Sequence, residues 1–312
     1  MKNYYMEMEK RSYASAAILR RQDGDPQIMG YTGNNPVLAA YRKIRKAGKY
    51  YRILYDHKFY IGSLAVVTGF DCNLNCTGCG QHTPLIKKLP AQSRQIDIGQ
   101  IYRDLDKISD AVDGIGGIAL ANGEGFLNKY AGGCIDYFAS NPKILNMNIP
   151  TNGSVMPSKE LLKKMRDHQV SATITKYRAV PEERRQQMIR LFRQYGITYT
   201  VFEDRKWYLH EYLPGVCSTG QEAHEKYKHC DKFFMLLQGR LWKCETDATR
   251  VFAGIRKEAE GDSICIKDAA TAEIRKFLWE KSHLPYIESC RHCRGSRGSL
   301  VKEIPSGRQI RK

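Results

Sequence analysis

Three cysteines packed into one short stretch, Cys72-Asn73-Leu74-Asn75-Cys76-Thr77-Gly78-Cys79, set the strongest limit on how this chain folds. They follow the apolar run 61–67 and the turn-like Thr68-Gly69-Phe70-Asp71. The run reads as a strand, and the cysteines as lying on the loop that leaves it, where thiolates converge without breaking a sheet. Thiolates are soft ligands that select iron–sulfur clusters, zinc or copper(I). A structural zinc site normally closes with four ligands, often as two Cys-x-x-Cys pairs. Here the close pattern offers three thiolates, with His82 just beyond, so a zinc knuckle has to borrow a distant ligand. Three ligands on a four-iron cluster leave one iron open.

After that loop the pattern alternates. Ile98, Ile101, Leu105, Ile108 and Val112 fall at helical spacing behind a cap at Asp97. A strand over 115–120, a helix over 126–138, a strand over 144–149, a helix over 158–167 and a strand over 170–175 follow. A helix after Pro181 and a strand over 197–202 complete the series. Upstream, residues 1–35 are polar and irregular, and Asn35-Pro36 reads as cap and first-turn proline of a helix to Lys46. Strands alternating with helices and short connections predict a parallel α/β unit of five or six repeats, fewer than a closed barrel needs.

In such a sheet, ligands sit at the carboxyl ends of the strands. The second strand ends in Ala121-Asn122-Gly123-Glu124-Gly125, a small-residue turn that exposes carbonyls and offers one negative charge, both suited to an ammonium group. The third ends in Thr151-Asn152-Gly153-Ser154, whose hydroxyl and amide groups suit a ribose or simply cap a helix. The fourth brings Thr173, Thr175, Lys176 and Arg178 to the same rim.

The C-x3-C-x2-C spacing behind a first strand resembles the radical S-adenosylmethionine (SAM) superfamily. The resemblance implies a partial (βα)6 TIM-like barrel and a [4Fe-4S] cluster on Cys72, Cys76 and Cys79. In that family the open iron chelates SAM, and the reduced cluster cleaves it to a 5′-deoxyadenosyl radical that abstracts a substrate hydrogen. Asn122-Gly123-Glu124-Gly125 is similar to the family's Gly-Gly-Glu-Pro motif, with Asn122 and Gly125 as departures. It implies SAM contacts at Asn122, Gly123 and Glu124, joined by Thr151, Asn152, Thr175 and Lys176. A second departure is Gly78, where the family commonly has an aromatic residue near the adenine. An electron donor such as flavodoxin or ferredoxin is implied as a partner.

The last hundred residues change character, and a small cysteine-rich C-terminal domain is expected. The stretches 233–237 and 240–244 around Gln238-Gly239 read as a hairpin, and an amphipathic helix over 272–280 precedes Cys290-Arg291-His292-Cys293. A cysteine, then Gly239-x4-Cys244, a helix and a Cys-x-x-Cys resembles the twitch form of the SPASM extension. It implies one auxiliary [4Fe-4S] cluster on Cys244, Cys290, Cys293 and a first ligand. Cys230 and Cys217 are both available for that place, and Cys230 lies closer to the hairpin. A four-cysteine zinc site is the alternative. Cys134 reads as a buried helix residue. Cys265, between Ile264 and Ile266, reads as a strand residue that is either buried or faces the site.

The domain layout expected is an N-terminal extension over 1–60, the partial barrel over 61–210 and the auxiliary domain over 211–312. Gln81-His82-Thr83-Pro84-Leu85 and Ile174-Thr175-Lys176-Tyr177 resemble a bacterial radical SAM group associated with carbohydrate biosynthesis, and that resemblance implies dehydrogenation of a carbohydrate or aminoglycoside-type alcohol as the favoured reaction. The radical loses an electron and a proton to give a ketone, and an auxiliary cluster accepts the electron. An epimerase with Cys265 or Cys217 as hydrogen donor and a peptide-modifying enzyme remain as alternatives. A zinc-ribbon nucleic-acid binder would explain the formal charge of +17 and the ten cysteines, but not the strand-end motifs. That charge is spread along the chain and reads as a solvated basic surface. The polar start does not read as a signal peptide, and no apolar run reaches the ~20 residues of a membrane span. A cytoplasmic protein without membrane contact is expected.

Overall fold

The computed structural model describes residues 59–202, 206–209, 211–228, 230, 233–295 and 299–310. The expected helix to Lys46 lies outside the described residues, as does the 1–60 extension up to Phe59. The strands are β1 (Tyr60–Ile61), β2 (Leu64–Val67), β3 (Gly114–Ile115), β4 (Ile118–Ala121), β5 (Met147–Thr151), β6 (Ser171–Thr175), β7 (Tyr199–Phe202), β8 (Lys206–Tyr208), β9 (Phe234–Leu237), β10 (Arg240–Trp242), β11 (Ser263–Cys265) and β12 (Glu303–Pro305). The helices are α1 (Thr83–Ile86), α2 (Ile98–Ala111), α3 (Ala131–Ser140), α4 (Lys159–Asp167), α5 (Glu182–Tyr195), α6 (Gly220–Lys228), α7 (Glu245–Phe252) and α8 (Thr271–His283).

The main sheet runs β11-β10-β9-β2-β4-β5-β6-β7. From β9 to β7 all neighbours are parallel; β10 and β11 add antiparallel strands at one edge. The class is therefore α/β, with an open parallel sheet. Five of the parallel strands come from the expected barrel segment and the sixth, β9, comes from beyond residue 210, so the sheet runs across the expected domain boundary. Gln238 and Gly239 both have positive φ, as the tight turn of the β9–β10 hairpin requires.

Two strands expected to be continuous are interrupted. Residues 62–63 and 116–117 break the first two at the same level, and the gap is bridged by Leu64 N–H to the Gly117 carbonyl at 2.9 Å and Gly116 N–H to the Ile61 carbonyl at 2.8 Å. Glycines there weaken regular pairing. Likewise the helix expected over 126–138 begins only at Ala131. Asn128 Oδ1 accepts from Tyr130 N–H at 2.9 Å, a local turn that competes with helix continuation.

Side-chain alternation sorts the two faces. Leu64, Val66, Leu120, Ile149 and Ile174 join the stripe Ile101, Leu105 and Ile108 of α2 in one core. Asp97 caps α2 by accepting from Gln100 N–H at 2.9 Å. Each such burial contributes about 1.5–3 kcal/mol. The other face, Ala65, Val67, Ala121, Met235, Leu237 and Trp242, is covered by Ala248 of α7, with Val251 and Phe252 beside it. Among the described residues no helix is long and apolar enough to cross a membrane.

Candidate active site

The loop after β2 carries Cys72, Cys76 and Cys79 at the carboxyl edge of the parallel sheet, and neighbouring elements grip it. Lys87 Nζ donates to the Cys72 carbonyl at 3.0 Å and the Leu74 carbonyl at 3.1 Å. Asn152 Nδ2 donates to Asn73 Oδ1 at 3.0 Å, and Asn73 Nδ2 to Ser154 Oγ at 2.8 Å. Gly123 has φ near 71°, and a Cβ there would collide with the Asp71 carbonyl, so only glycine lets the two loops meet.

The three thiols lie within electrostatic reach of one another. Burial pushes the Cys76 thiol up to about 11, with Cys79 and Cys72 adding to the effect against the Gln309 hydrogen bond. Burial also raises Cys72, helped by the charges of Glu124 and Cys79. Such thiols stay protonated until a metal stabilises the thiolate. The Tyr177 hydroxyl, buried and raised by desolvation, also feels all three sulfurs.

The chain's end straps this loop, a role for which the tail carries no motif. Thr77 N–H donates to the Arg308 carbonyl and Ile310 N–H to the Asn75 carbonyl, both at 2.7 Å. Gln309 Oε1 accepts from Asn75 N–H at 2.7 Å while its Nε2 donates to Cys76 Sγ at 3.2 Å. Ile304 and Leu209 fill the space that a side chain at Gly78 would need. β12 is anchored antiparallel to β8 behind it.

Glu124 is buried, and its carboxylate accepts from Thr151 Oγ1 at 2.6 Å, Asn152 N–H at 2.7 Å and Phe126 N–H at 3.2 Å. It clasps the second and third strand-end loops together. Asn122, with φ 68°, accepts from Thr83 Oγ1 at 2.9 Å through Oδ1, and Thr83 Oγ1 lies 3.7 Å from Cys79 Sγ. Its buried Nδ2 has no hydrogen-bond partner among the described residues. Thr175 ends β6 at the same rim, and Lys176 follows it beside Tyr177, its N–H bonded to the Phe202 carbonyl at 2.9 Å.

A second thiol group is gathered by the C-terminal elements. Burial pushes the Cys290 thiol up, and the charges of Cys244, Cys230 and Cys293 act in the same direction, so these three lie within electrostatic reach of Cys290. Cys244 caps α7. Arg250 Nη2 donates to Cys293 Sγ at 3.1 Å. Cys217 is exposed and makes no such contribution. Cys265 stands on the outermost strand, three strands from β2, and its thiol donates to Asp268 Oδ2 at 3.0 Å. Cys134 is buried in α3, as expected. Among the described residues no three His, Cys, Asp or Glu side chains form a group tight enough for a single metal ion.

No protein-family model matches the chain, and no curated protein matches it. Among solved structures, BtrN in complex with AdoMet and 2-DOIA aligns at 14% identity over 74% of this chain and 92% of that one, with a TM-score of 0.46. SuiB of Streptococcus suis bound to S-adenosylmethionine aligns at 14% identity over 52% of this chain and 38% of its own, TM-score 0.37. Native anSMEcpe with bound AdoMet aligns at 16% identity over 45% of this chain and 43% of its own, TM-score 0.33.

Proposed function

We propose that this chain is a radical SAM enzyme that dehydrogenates a carbohydrate or aminoglycoside-type alcohol. The observation that carries the reading is the gathering of Cys72, Cys76 and Cys79 on a firmly held loop at the carboxyl edge of a parallel sheet. Soft thiols, an amide donor on Cys76 and the unpartnered Asn122 Nδ2 suit a thiolate-held four-iron cluster with a polar ligand beside it. Held by Cys72, Cys76 and Cys79, such a cluster would supply the electron for reductive cleavage of SAM.

The chain's own residues hold and orient. Lys87 and Gln309 fix the loop backbone. Asn122 offers a donor to a SAM polar group, and Thr151, Asn152, Thr175 and Lys176 line the rim for its carboxylate or ribose. Glu124 acts chiefly by keeping Thr151 and Asn152 in place. Cys230, Cys244, Cys290 and Cys293 would hold an auxiliary cluster. Four thiols suit a thiolate-held iron–sulfur cluster, with a four-cysteine zinc site as the alternative. A carbinol radical that loses one electron and one proton becomes a ketone, and this second site is the natural acceptor. Cys265, on the far edge strand and already donating to Asp268, supports epimerisation less well. A protein donor of the flavodoxin or ferredoxin type would supply the reducing electron.

Anaerobically reconstituted protein is expected to turn SAM into 5′-deoxyadenosine. The triple variant Cys72→Ala/Cys76→Ala/Cys79→Ala is expected to lose this while keeping iron at the four-thiol site. Two zinc ions and no iron in the native protein would end the proposal. A carbinol-deuterated alcohol should pass its label to 5′-deoxyadenosine; transfer from a labelled peptide instead would reassign the substrate.

A further inference from the structure

We propose that Arg250 tunes the electron affinity of the four-thiol site, as a buried cation that favours the more negatively charged, reduced state. The inference rests on the reading that Cys230, Cys244, Cys290 and Cys293 hold a cluster. Arg250 is 1% exposed, and its Nη2 lies 3.1 Å from Cys293 Sγ. The counter-ion is divided: Asp247 Oδ1 stands 3.7 Å from Arg250 Nη1, while the same carboxylate takes Arg256 Nε at 2.8 Å. Arg256 has a second carboxylate, Asp262 Oδ2, 2.8 Å from its Nη2, and the Nη2 end of Arg250 faces the Cys293 sulfur. The Tyr212 ring closes another side, 5.9 Å from the guanidinium carbon.

A desolvated guanidinium is costly unless its partners are well placed, and its nearest partners here include a proposed metal-ligand sulfur. Adding an electron to a cluster adds negative charge. A nearby fixed cation and an N–H···S hydrogen bond stabilise that charge and raise the reduction potential. The same helix also reaches the other thiol group, since Thr249 Oγ1 lies 2.9 Å from His82 Nδ1 at the end of the three-thiol loop. α7 thus spans both sites, with Cys244 at its start and Arg250 near its end. In the proposed dehydrogenation, raised electron affinity is the useful direction, because the site takes the electron that a carbinol radical gives up with a proton.

The test uses the full chain carrying Cys72→Ala/Cys76→Ala/Cys79→Ala, so that only the four-thiol site is loaded. Its midpoint potential is read by dithionite titration followed by electron paramagnetic resonance. Arg250→Met is expected to shift the midpoint downward by at least a tenfold change in the oxidised-to-reduced ratio, about 59 mV for one electron. Arg250→Lys should retain most of the parent value, and Asp247→Asn should move it upward. An unchanged midpoint in Arg250→Met, with the cluster intact, overturns the role of Arg250 and leaves the cluster reading standing. Should Arg250→Met fail to fold, the other two variants decide: an Asp247→Asn midpoint at or below the parent's overturns the proposal. A triple variant that binds zinc or no iron overturns the cluster reading and this inference with it.

Discussion

Glu124 shows how differently one residue reads at the two levels. In the sequence it is a negative charge on a strand-end turn, fit for an ammonium group. In the fold its oxygens are already engaged by a hydroxyl and two backbone N–H groups. Glu124→Ala leaves those donors buried without an acceptor, and is expected to cost about 1–3 kcal/mol in equilibrium urea unfolding. A variant with weakened SAM binding but unchanged stability would contradict the clasp. Asp104 on α2 makes a second residue-scale case. It is fully buried, Gln100 Nε2 donates to its Oδ1 at 2.7 Å, and Oδ2 has no partner among the described residues. Burial raises its pKa above the ordinary carboxylate range. The native state therefore holds this proton more tightly than the unfolded chain does. The associated stability is present in acid and is lost as pH rises from the ordinary carboxylate range through the raised value. Asp104→Asn should remove that slope; equal slopes in both proteins, measured by urea unfolding across pH, would refute it.

At the scale of elements, the strap and α7 matter most for the site. Neither has a signature of its own. Residues 303–310 are a short polar tail by composition, yet their backbone supplies the acceptor for Thr77 N–H, and Gln309 the one for Asn75 N–H. Deleting 306–312 is expected to speed hydrogen exchange at both amides by about tenfold, as each bond contributes about 0.5–1.5 kcal/mol. Unchanged protection would mean the cysteine loop holds its shape unaided. Regular elements were more readable: Asp97 caps α2 where the pattern places a cap, and Ser158, the expected start of α4, stands at its cap. Interruptions at 62–63 and 116–117 were not, because they depend on two glycine-containing segments meeting side by side.

For the whole molecule, the sheet's continuity is the leading feature. β9 pairs with β2 in parallel, so the strand feeding the cysteine loop has β4 on one side and a strand from beyond residue 210 on the other. Residues 61–210 produced alone would expose the β2 edge and the apolar face that α7 covers. Such a fragment is expected to aggregate or unfold without a cooperative transition. A monomeric fragment with a sharp urea transition would support 210 as a folding boundary.

The sequence by itself determined the α/β alternation, the chain positions of both cysteine groups and the loop character of the strand ends. Those follow from local periodicity, capping and turn chemistry, which act over a few residues. Only the tertiary structure bears on the choice between Cys230 and Cys217, because the reach of the Cys230 charge to Cys290, beside those of Cys244 and Cys293, depends on how distant segments pack. It alone brought Gln309 to Cys76 and Arg250 to Cys293. Contacts between such distant positions leave no periodic trace, since a side chain meets them only after the sheet has brought its neighbours together.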